Sequence, residues 1–366
     1  MLAYYSKNCK GGSIVIDVPA FVMSCSLVRP GALLSTRRIP AAPPHSQKTP
    51  VSPGAGHGQG PLPRDRESLC RSHWASFCAG CVALLGDPNQ LLSVGAGNIL
   101  SDLLTLGVPS ICLQQQYRQS TDAVALRQNV VNFPKLNTEH ELQWDDSFRL
   151  LPADDRAIPD LLCEEAARRY RAGESIQVLS PVRAKTDFSV QALNTRLQNE
   201  VNPLTAEKPT WGKFRDGDRV IVTQNNAYYN ICNGDVGVLH IRGEKPHRVA
   251  ALAVRGTLKT WQIDHGQGEY GIGHDDAPPP QLALAYALTV HKSQGSQYDT
   301  VLMPVSMATA RMLYRNLLYT AISRAGKEVI LVGSREALNT AMQCIPYPRK
   351  SKLVARTNLL RLGRSA

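Results

Sequence analysis

The chain has 366 residues, room for two or three domains with sizeable cores. An apolar fraction of 43% and a charged fraction of 19% exclude a disordered chain, and no apolar run reaches the length of about eighteen residues that marks a transmembrane helix. Lys and Arg outnumber Asp and Glu by 41 to 30, but the excess sits at the two ends; the middle is slightly acidic, so net charge alone does not argue for nucleic acid.

Taken in chain order, the first 80 residues are anomalous. Lys7 and Lys10 precede an apolar stretch at 20–28, but Asp17 and Pro19 interrupt it and no small-residue cleavage site follows, so it is not read as a signal peptide. Residues 30–66 are rich in Pro, Gly, Ser and Arg without period two or 3.6, which marks a poorly ordered segment. Nine scattered cysteines, an odd number, make no disulfide framework and point to a reducing cytoplasm. Cys70, His73, Cys78 and Cys81 have the identities of zinc ligands, but only four residues separate the pairs, so they are read as free thiols and no metal site is expected.

From Cys81 onward the text is ordinary α/β. Residues 82–85 read as a buried strand and 98–106 as a helix. A helix over 159–172 has Pro159 in its first turn and Gly173 after its end. A strand at 176–180 and a helix at 190–200 follow, and strand alternating with helix implies a parallel sheet with crossovers. Between 213 and 281 the pattern becomes β-rich: strands at 219–223, 236–241, 249–254 and 258–263, with Asn233-Gly234 as a hairpin turn, suggest a small barrel. Then come strands at 284–289 and 300–305, a helix at 311–324, a strand at 328–333 and a helix at 335–343. The last 21 residues, with six Lys or Arg and no acid, read as a solvated tail.

Four stretches carry chemistry. Gly86-Asp87-Pro88-Asn89-Gln90 precedes Ser93-Val94-Gly95-Ala96-Gly97; Gln116-Tyr117-Arg118 follows. The third is Thr289-Val290-His291-Lys292-Ser293-Gln294-Gly295-Ser296, and the fourth Tyr319-Thr320-Ala321-Ile322-Ser323-Arg324-Ala325. In order and spacing they resemble a RecD-like helicase of superfamily 1, over roughly residues 81–360. The resemblance implies an α/β fold of RecA-like, P-loop NTPase type: a parallel-sheet motor domain at 111–212 and 282–345, a β-barrel-like insertion at 213–281, the end of a first motor domain at 81–110, and a basic tail at 346–366.

It also implies ATP-dependent movement on single-stranded DNA, 5′ to 3′, in repair, recombination or conjugation. ATP and Mg²⁺ would be the cofactors and single-stranded DNA the partner, with no membrane. Arg324, Arg118 and Gln90 would be the catalytic residues, Arg324 as arginine finger and Gln90 as the sensor of the γ-phosphate. Gly86, Asp87 and Gly295 would join them in binding nucleotide, while Thr289, His291, Lys292 and Ser293 would contact DNA phosphates. These types suit the work: only Arg brings a fixed charge on a planar fork to a developing phosphoryl charge, and hydroxyl, imidazole and ammonium groups donate to phosphates without reading sequence. Gln297 stands where the family has Glu, and Tyr228 and Tyr229 either stack on bases or pack ordinarily.

Two parts of such a motor are not found. The phosphate loop Gly-x-x-x-x-Gly-Lys followed by Ser or Thr occurs nowhere; the glycine-rich 54–60 lacks its Lys. Asp17 ends a strand-like run, but Val18 replaces the Glu needed beside it. The expectation is a truncated family member whose P-loop-bearing first domain is separate or lost. The rivals are an inactive remnant that only binds single strands and the helicase part of a conjugative relaxase. Without the loop Lys and catalytic Glu, the purified chain should show no DNA-stimulated ATP hydrolysis; turnover on the order of 1 per second or faster would contradict this reading.

Overall fold

The computed structural model describes residues 2–4, 74–78, 81–92, 95, 97–113, 115–133, 141–244, 247–254, 256–263, 279–309, 312–345, 349 and 351–362. Asp17, Val18, the 20–28 stretch, Gly54 to Gly60, Cys70, His73, Ser93, Val94 and Ala96 lie outside the described residues. The chain divides into two compact units, one of residues 1–88, 92–115 and 348–366, the other of 89–91 and 116–347.

The first unit holds four strands, β1 (Leu2–Tyr4), β2 (Trp74–Cys78), β3 (Cys81–Gly86) and β4 (Ser110–Cys112), in the order β2-β3-β1-β4. All pairs are antiparallel. This corrects one expectation: β3, read with the parallel-sheet text, pairs antiparallel on both sides, with β1 and β2, which lie on either side of residues 30–66. Helix α1 (Ile99–Thr105) packs on a helix near the chain end, Leu353–Leu362, so the basic tail is not wholly a solvated coil.

The second unit is built on β5 (Phe148–Pro152), β6 (Ile176–Ser180), β14 (Ala287–Thr289), β15 (Tyr298–Val305) and β16 (Ala325–Gly333). They form one sheet in the order β14-β6-β15-β16-β5, and every pair is parallel. The two-residue period explains why both faces are covered. Val301, Met303, Val305, Val329 and Leu331 enter one core, with helices α2 (Val124–Asn132), α5 (Arg315–Ile322) and α6 (Arg335–Gln343). The intervening Leu302, Ile330 and Val332 enter the other, with α3 (Ile158–Arg171) and α4 (Val190–Val201). Gly333 closes β16 at φ +145°, where a Cβ would fall 1.8 Å from the Val305 carbonyl oxygen, so no other residue fits.

Between α4 and β14 runs the insertion. A short hairpin, β7 (Thr210–Trp211) with β8 (Phe214–Arg215), precedes an antiparallel sheet of β9 (Asp218–Val222), β10 (Val236–Arg242), β11 (Val249–Val254), β12 (Thr257–Gln262) and β13 (Leu282–Leu284), ordered β12-β11-β10-β9-β13. Gly237 lets β10 and β11 approach, since a Cβ there would meet the Ala253 carbonyl oxygen at 2.2 Å. Fully buried Asp218 joins the insertion to the parallel sheet. It accepts from Arg215 N (2.8 Å), Gln198 Nε2 (2.6 Å), Asn202 Nδ2 (2.7 Å) and Tyr286 Oη (3.0 Å).

Two further sequence expectations are corrected. The single strand read at 284–289 is divided, ending β13 in one sheet and forming β14 in the other; the Gln177 amide holds the break by donating to the Ala285 and Tyr286 carbonyls. The helix read from 311 begins at Arg315, after a 3₁₀ turn at Met307–Thr309.

A charged cluster fixes α3 against the sheet. The Arg169 guanidinium bonds Glu165 (2.7 Å), Glu174 (2.9 Å) and Glu328 of β16 (2.8 Å), while Arg149 of β5 pairs with Glu328. Burial acts to raise the Glu165 pKa, but hydrogen bonds from Arg168 and Arg169 outweigh it and hold the carboxyl below its ordinary 4.5. The folded pKa is therefore depressed: this stabilisation is complete above about pH 4.5 and is lost as pH falls through the folded value. Urea-unfolding midpoints should drop between about pH 6 and about pH 3, and the drop should be smaller in Arg169→Met. Equal drops in both proteins would contradict the assignment.

Candidate functional site

Residues 89–91 belong to the second unit, and one face of α5 explains why. Asn316, Thr320 and Arg324 follow each other at intervals of four, so they share a face that continues past the helix end. Asn316 Nδ2 donates to the Gln90 carbonyl (3.3 Å), and Thr320 Oγ1 accepts from Leu91 N (2.9 Å). Arg324 Nη2 donates to Gln90 Oε1 at 2.7 Å. Arg324 is only 3% exposed; its Nε also donates to the Thr320 carbonyl (3.3 Å) and its Nη1 to the Ser296 carbonyl (3.5 Å).

Arg118 reaches the same corner from outside. Its Nη1 donates to the Ser323 carbonyl (2.7 Å), and its own carbonyl accepts from Gln297 Nε2 (3.4 Å). The next residues lie along the start of β16: Gln119 Nε2 donates to the Ala325 carbonyl (3.0 Å) and Ser120 N to that of Gly326 (2.7 Å). Gly326 permits this approach, since a Cβ there would already touch the Arg118 carbonyl and the Gln297 amide at 3.4 Å. Two guanidinium groups, one buried and one exposed, thus converge at the N-terminal edge of β15 and β16.

Gly295 forms a turn at φ +87° in the loop that ends on Ser296. Gly86 ends β3 and Asp87 follows it, both in the first unit.

The nucleic-acid candidates begin at the opposite edge of the sheet, where β14 ends. Lys292 N and Ser293 N donate to the Thr289 carbonyl (2.9 and 3.2 Å), closing a turn that presents His291 and Lys292 to solvent. Thr289 is half-buried. Ser293 corrects its expectation: it is fully buried and its hydroxyl donates to the Val290 carbonyl at 2.7 Å, so it shapes the turn instead of facing a ligand. Loss of hydration within the loop lowers the His291 pKa from 6.5, which keeps the imidazole neutral at pH 7 and a hydrogen-bond donor more than a charge. Of the tyrosine pair, Tyr229 packs on Trp261 in the insertion core, while Tyr228 is 60% exposed.

Asn316 and Gln119 were not singled out from the sequence; Thr320 was quoted only within its motif, and Gln297 only as standing where the family has Glu. Asn316 and Thr320 had a signal, a polar stripe at helical spacing on an otherwise apolar helix ending in Arg324. Gln119 had none. No group of three or more His, Cys, Asp or Glu side chains able to hold a metal occurs among the described residues. Nor is any helix among them long and apolar enough to cross a membrane.

An all-parallel sheet covered on both faces, interrupted by a β insertion and carrying paired arginines at its N-terminal edge, is a RecA-like motor domain. A family model of the UvrD-like helicase C-terminal domain matches residues 284–332. The chain is 32% identical to the ATP-dependent RecD2 DNA helicase of Deinococcus radiodurans over 276 residues, 71% of this chain and 35% of that protein. It is 27% identical to the RecBCD enzyme subunit RecD of Mycolicibacterium smegmatis over 72% of this chain and 47% of that one. A Pif1 helicase from Bacteroides, solved in complex with ADP-AlF3 and ssDNA, superposes with a TM-score of 0.32 at 17% identity, covering 70% of this chain and 57% of that chain. The chain belongs to the RecD-like helicases of superfamily 1, as a C-terminal part. It spans between a third and a half of the length of these two RecD relatives.

Proposed function

We propose that the second unit works as the second motor domain of an ATP-dependent RecD-type DNA helicase, translocating 5′ to 3′ on single-stranded DNA. The observation that carries this reading is the loop from Thr289 to Ser296. One end is the turn that exposes His291 and Lys292; the other is the Ser296 carbonyl, which accepts from Arg324. Arg324 thus touches one end of the same eight-residue stretch whose other end would grip the strand.

In this reading Arg324 and Arg118 would meet the γ-phosphate of ATP bound by a separate P-loop-bearing domain, and Gln90, bonded to Arg324, would sense that phosphate. ATP would supply the free energy of phosphoryl transfer, and the arginines the fixed charge that its developing negative charge requires. The donor set fits a phosphate: oxygens of Gln90, Thr320, Ser296 and Ser323 accept from Arg324 and orient its fork. Mg²⁺ does not fit the described residues in the same way, and no step here is assigned to it. Thr289, His291 and Lys292 would donate to phosphates of the strand. The insertion would act as the family's small barrel beside it, with exposed Tyr228 available to a base. We keep the domain limits read from the sequence as the proposed ones, with residues 89–91, which bond to α5, taken with the second motor domain.

The test restores the missing half. With the P-loop-bearing first domain of the Deinococcus relative joined ahead of Cys81, ATP hydrolysis should be stimulated by single strands. Arg324→Ala should then cut hydrolysis by about 10³-fold or more while single-strand affinity stays within a few-fold, and Arg324→Lys should not rescue. Hydrolysis that persists with Ala at position 324 would reduce that residue to a structural hydrogen-bond donor. A joined protein that binds single strands but never hydrolyses ATP would favour a binding module.

A further inference from the structure

The parallel sheet has two margins. One, β14, leads into the Thr289 turn; the other, β5, has a single neighbour among the described residues, β16. The register fixes which backbone groups of β5 are taken. Val329 N donates to the Ser147 carbonyl (2.9 Å) and Ala153 N to that of Gly333 (3.1 Å), so Ser147, Arg149, Leu151 and Ala153 face β16. The alternate residues, Phe148, Leu150 and Pro152, turn their backbone groups the other way. Phe148 N already donates to Asp145, and Pro152 has no N–H. What remains outward is the Leu150 donor and the carbonyls of all three.

An open groove follows this edge, lined by Trp144, Leu150, Leu151, Pro152 and Ala153, with Arg335 at the start of α6 beside them. Pro152 is exposed and the other four apolar residues are half-buried. Margin strands are commonly guarded by a free charge, but the charge on β5 is engaged: Arg149 Nε donates to Glu328 (3.0 Å). The acids at the groove are engaged too. Asp145 accepts from Ala125 N and Ser147 N, and Asp154 from Arg156 N and Ala157 N. Arg335 differs. Its guanidinium lies 5.0 Å from the centre of the Trp144 ring and pairs with no carboxylate among the described residues.

We propose that β5 and Arg335 form a docking site for an extended, apolar and acidic segment of a partner protein, which adds a sixth strand to the sheet and sets a carboxylate on Arg335. The site shares no residue with the Thr289 turn or the Arg324 corner, so it stands apart from the helicase reading. Only an extended polypeptide offers donors and acceptors at the spacing of Phe148, Leu150 and Pro152. Its apolar side chains would cover the groove wall, and its acid would give Arg335 the charge partner it lacks. A second copy of this chain fits less well. Two-fold pairing of β5 about Leu150 sets Phe148 against Pro152, and neither hydrogen bond of that pair can form, since one N–H is held by Asp145 and the other is absent.

The experiment titrates the full chain into two fluorescein-labelled hexapeptides, Val-Thr-Val-Thr-Val-Glu and its reverse, with blocked ends, and follows anisotropy. Analogues carry Lys in place of Glu. One glutamate peptide should bind, and more tightly than its lysine analogue. Arg335→Gln should weaken that binding by about fivefold, and Arg335→Glu should reverse the preference so that the lysine analogue binds better. Leu150→Pro removes the outward N–H without touching the β16 ladder and should abolish binding. Lys259→Gln, on β12 at the margin of the insertion, should bind like the unsubstituted protein. Hydrogen exchange in the fragment holding Leu150 should slow when peptide is added. Where Leu150→Pro fails to fold, this exchange and the Arg335→Glu reversal decide. No binding of either glutamate peptide, equal binding of Glu and Lys peptides, or unchanged exchange at Leu150 would each overturn the proposal. A dimer of the unsubstituted chain that Arg335→Glu or Leu150→Pro dissociates would give the edge to a second copy and overturn the partner assignment.

Discussion

A guanidinium that is 97% removed from water must have its donors met by fixed acceptors, and at Arg324 this requirement organises its surroundings. The acceptors come from three directions: the Gln90 side chain, the Thr320 carbonyl within α5 and the Ser296 carbonyl from the loop after β14. None can be withdrawn cheaply, because a buried charged donor left unmatched costs about 1–3 kcal/mol or more. Leu91 is fastened to Thr320 beside them, so residues 89–91 are held to the second unit as firmly as if they were part of its own sheet.

The parallel sheet turns this local demand into a relation between sites. Arg324 and Arg118 lie at the N-terminal edge of β15 and β16, and the Thr289 turn at the C-terminal edge of β14. One loop crosses from edge to edge. Its turn is closed by backbone hydrogen bonds and the buried Ser293 hydroxyl, and its far end is an Arg324 acceptor. Helices packed on both faces keep the sheet beneath this loop from deforming. Asp218 extends the same logic to the insertion by meeting four donors from the hairpin, α4 and the β13–β14 junction.

Much of this was legible in the residues. Alternating helix and strand from 159 to 343 pointed to the parallel sheet, since buried strands and capped helices are local statements: Ser189 and Ser334 cap α4 and α6, and Gly173 ends α3 at φ +73°, whereas β5 and α2 ahead of them were not read. Gln90, Arg118 and Arg324 were grouped by the resemblance alone; in the structure Gln90 bonds Arg324 and Arg118 bonds the Ser323 carbonyl. What could not be read depended on partners distant in sequence. The break between β13 and β14 is set by Gln177, more than a hundred residues away, and the burial of Ser293 by the packing of its whole turn. The antiparallel pairing of β3 needed β1, from the opposite end of its unit.

The central claim is that Gln90 and Arg324 are energetically one unit, and a double-mutant cycle measures this directly. Unfolding free energies would be taken for the unsubstituted chain, Gln90→Ala, Arg324→Met and the double variant. A coupling energy of about 1–3 kcal/mol is expected, with the double variant less destabilised than the sum of the two single changes. Additivity within about 0.5 kcal/mol would mean that the 2.7 Å contact holds nothing in place, and would contradict the account.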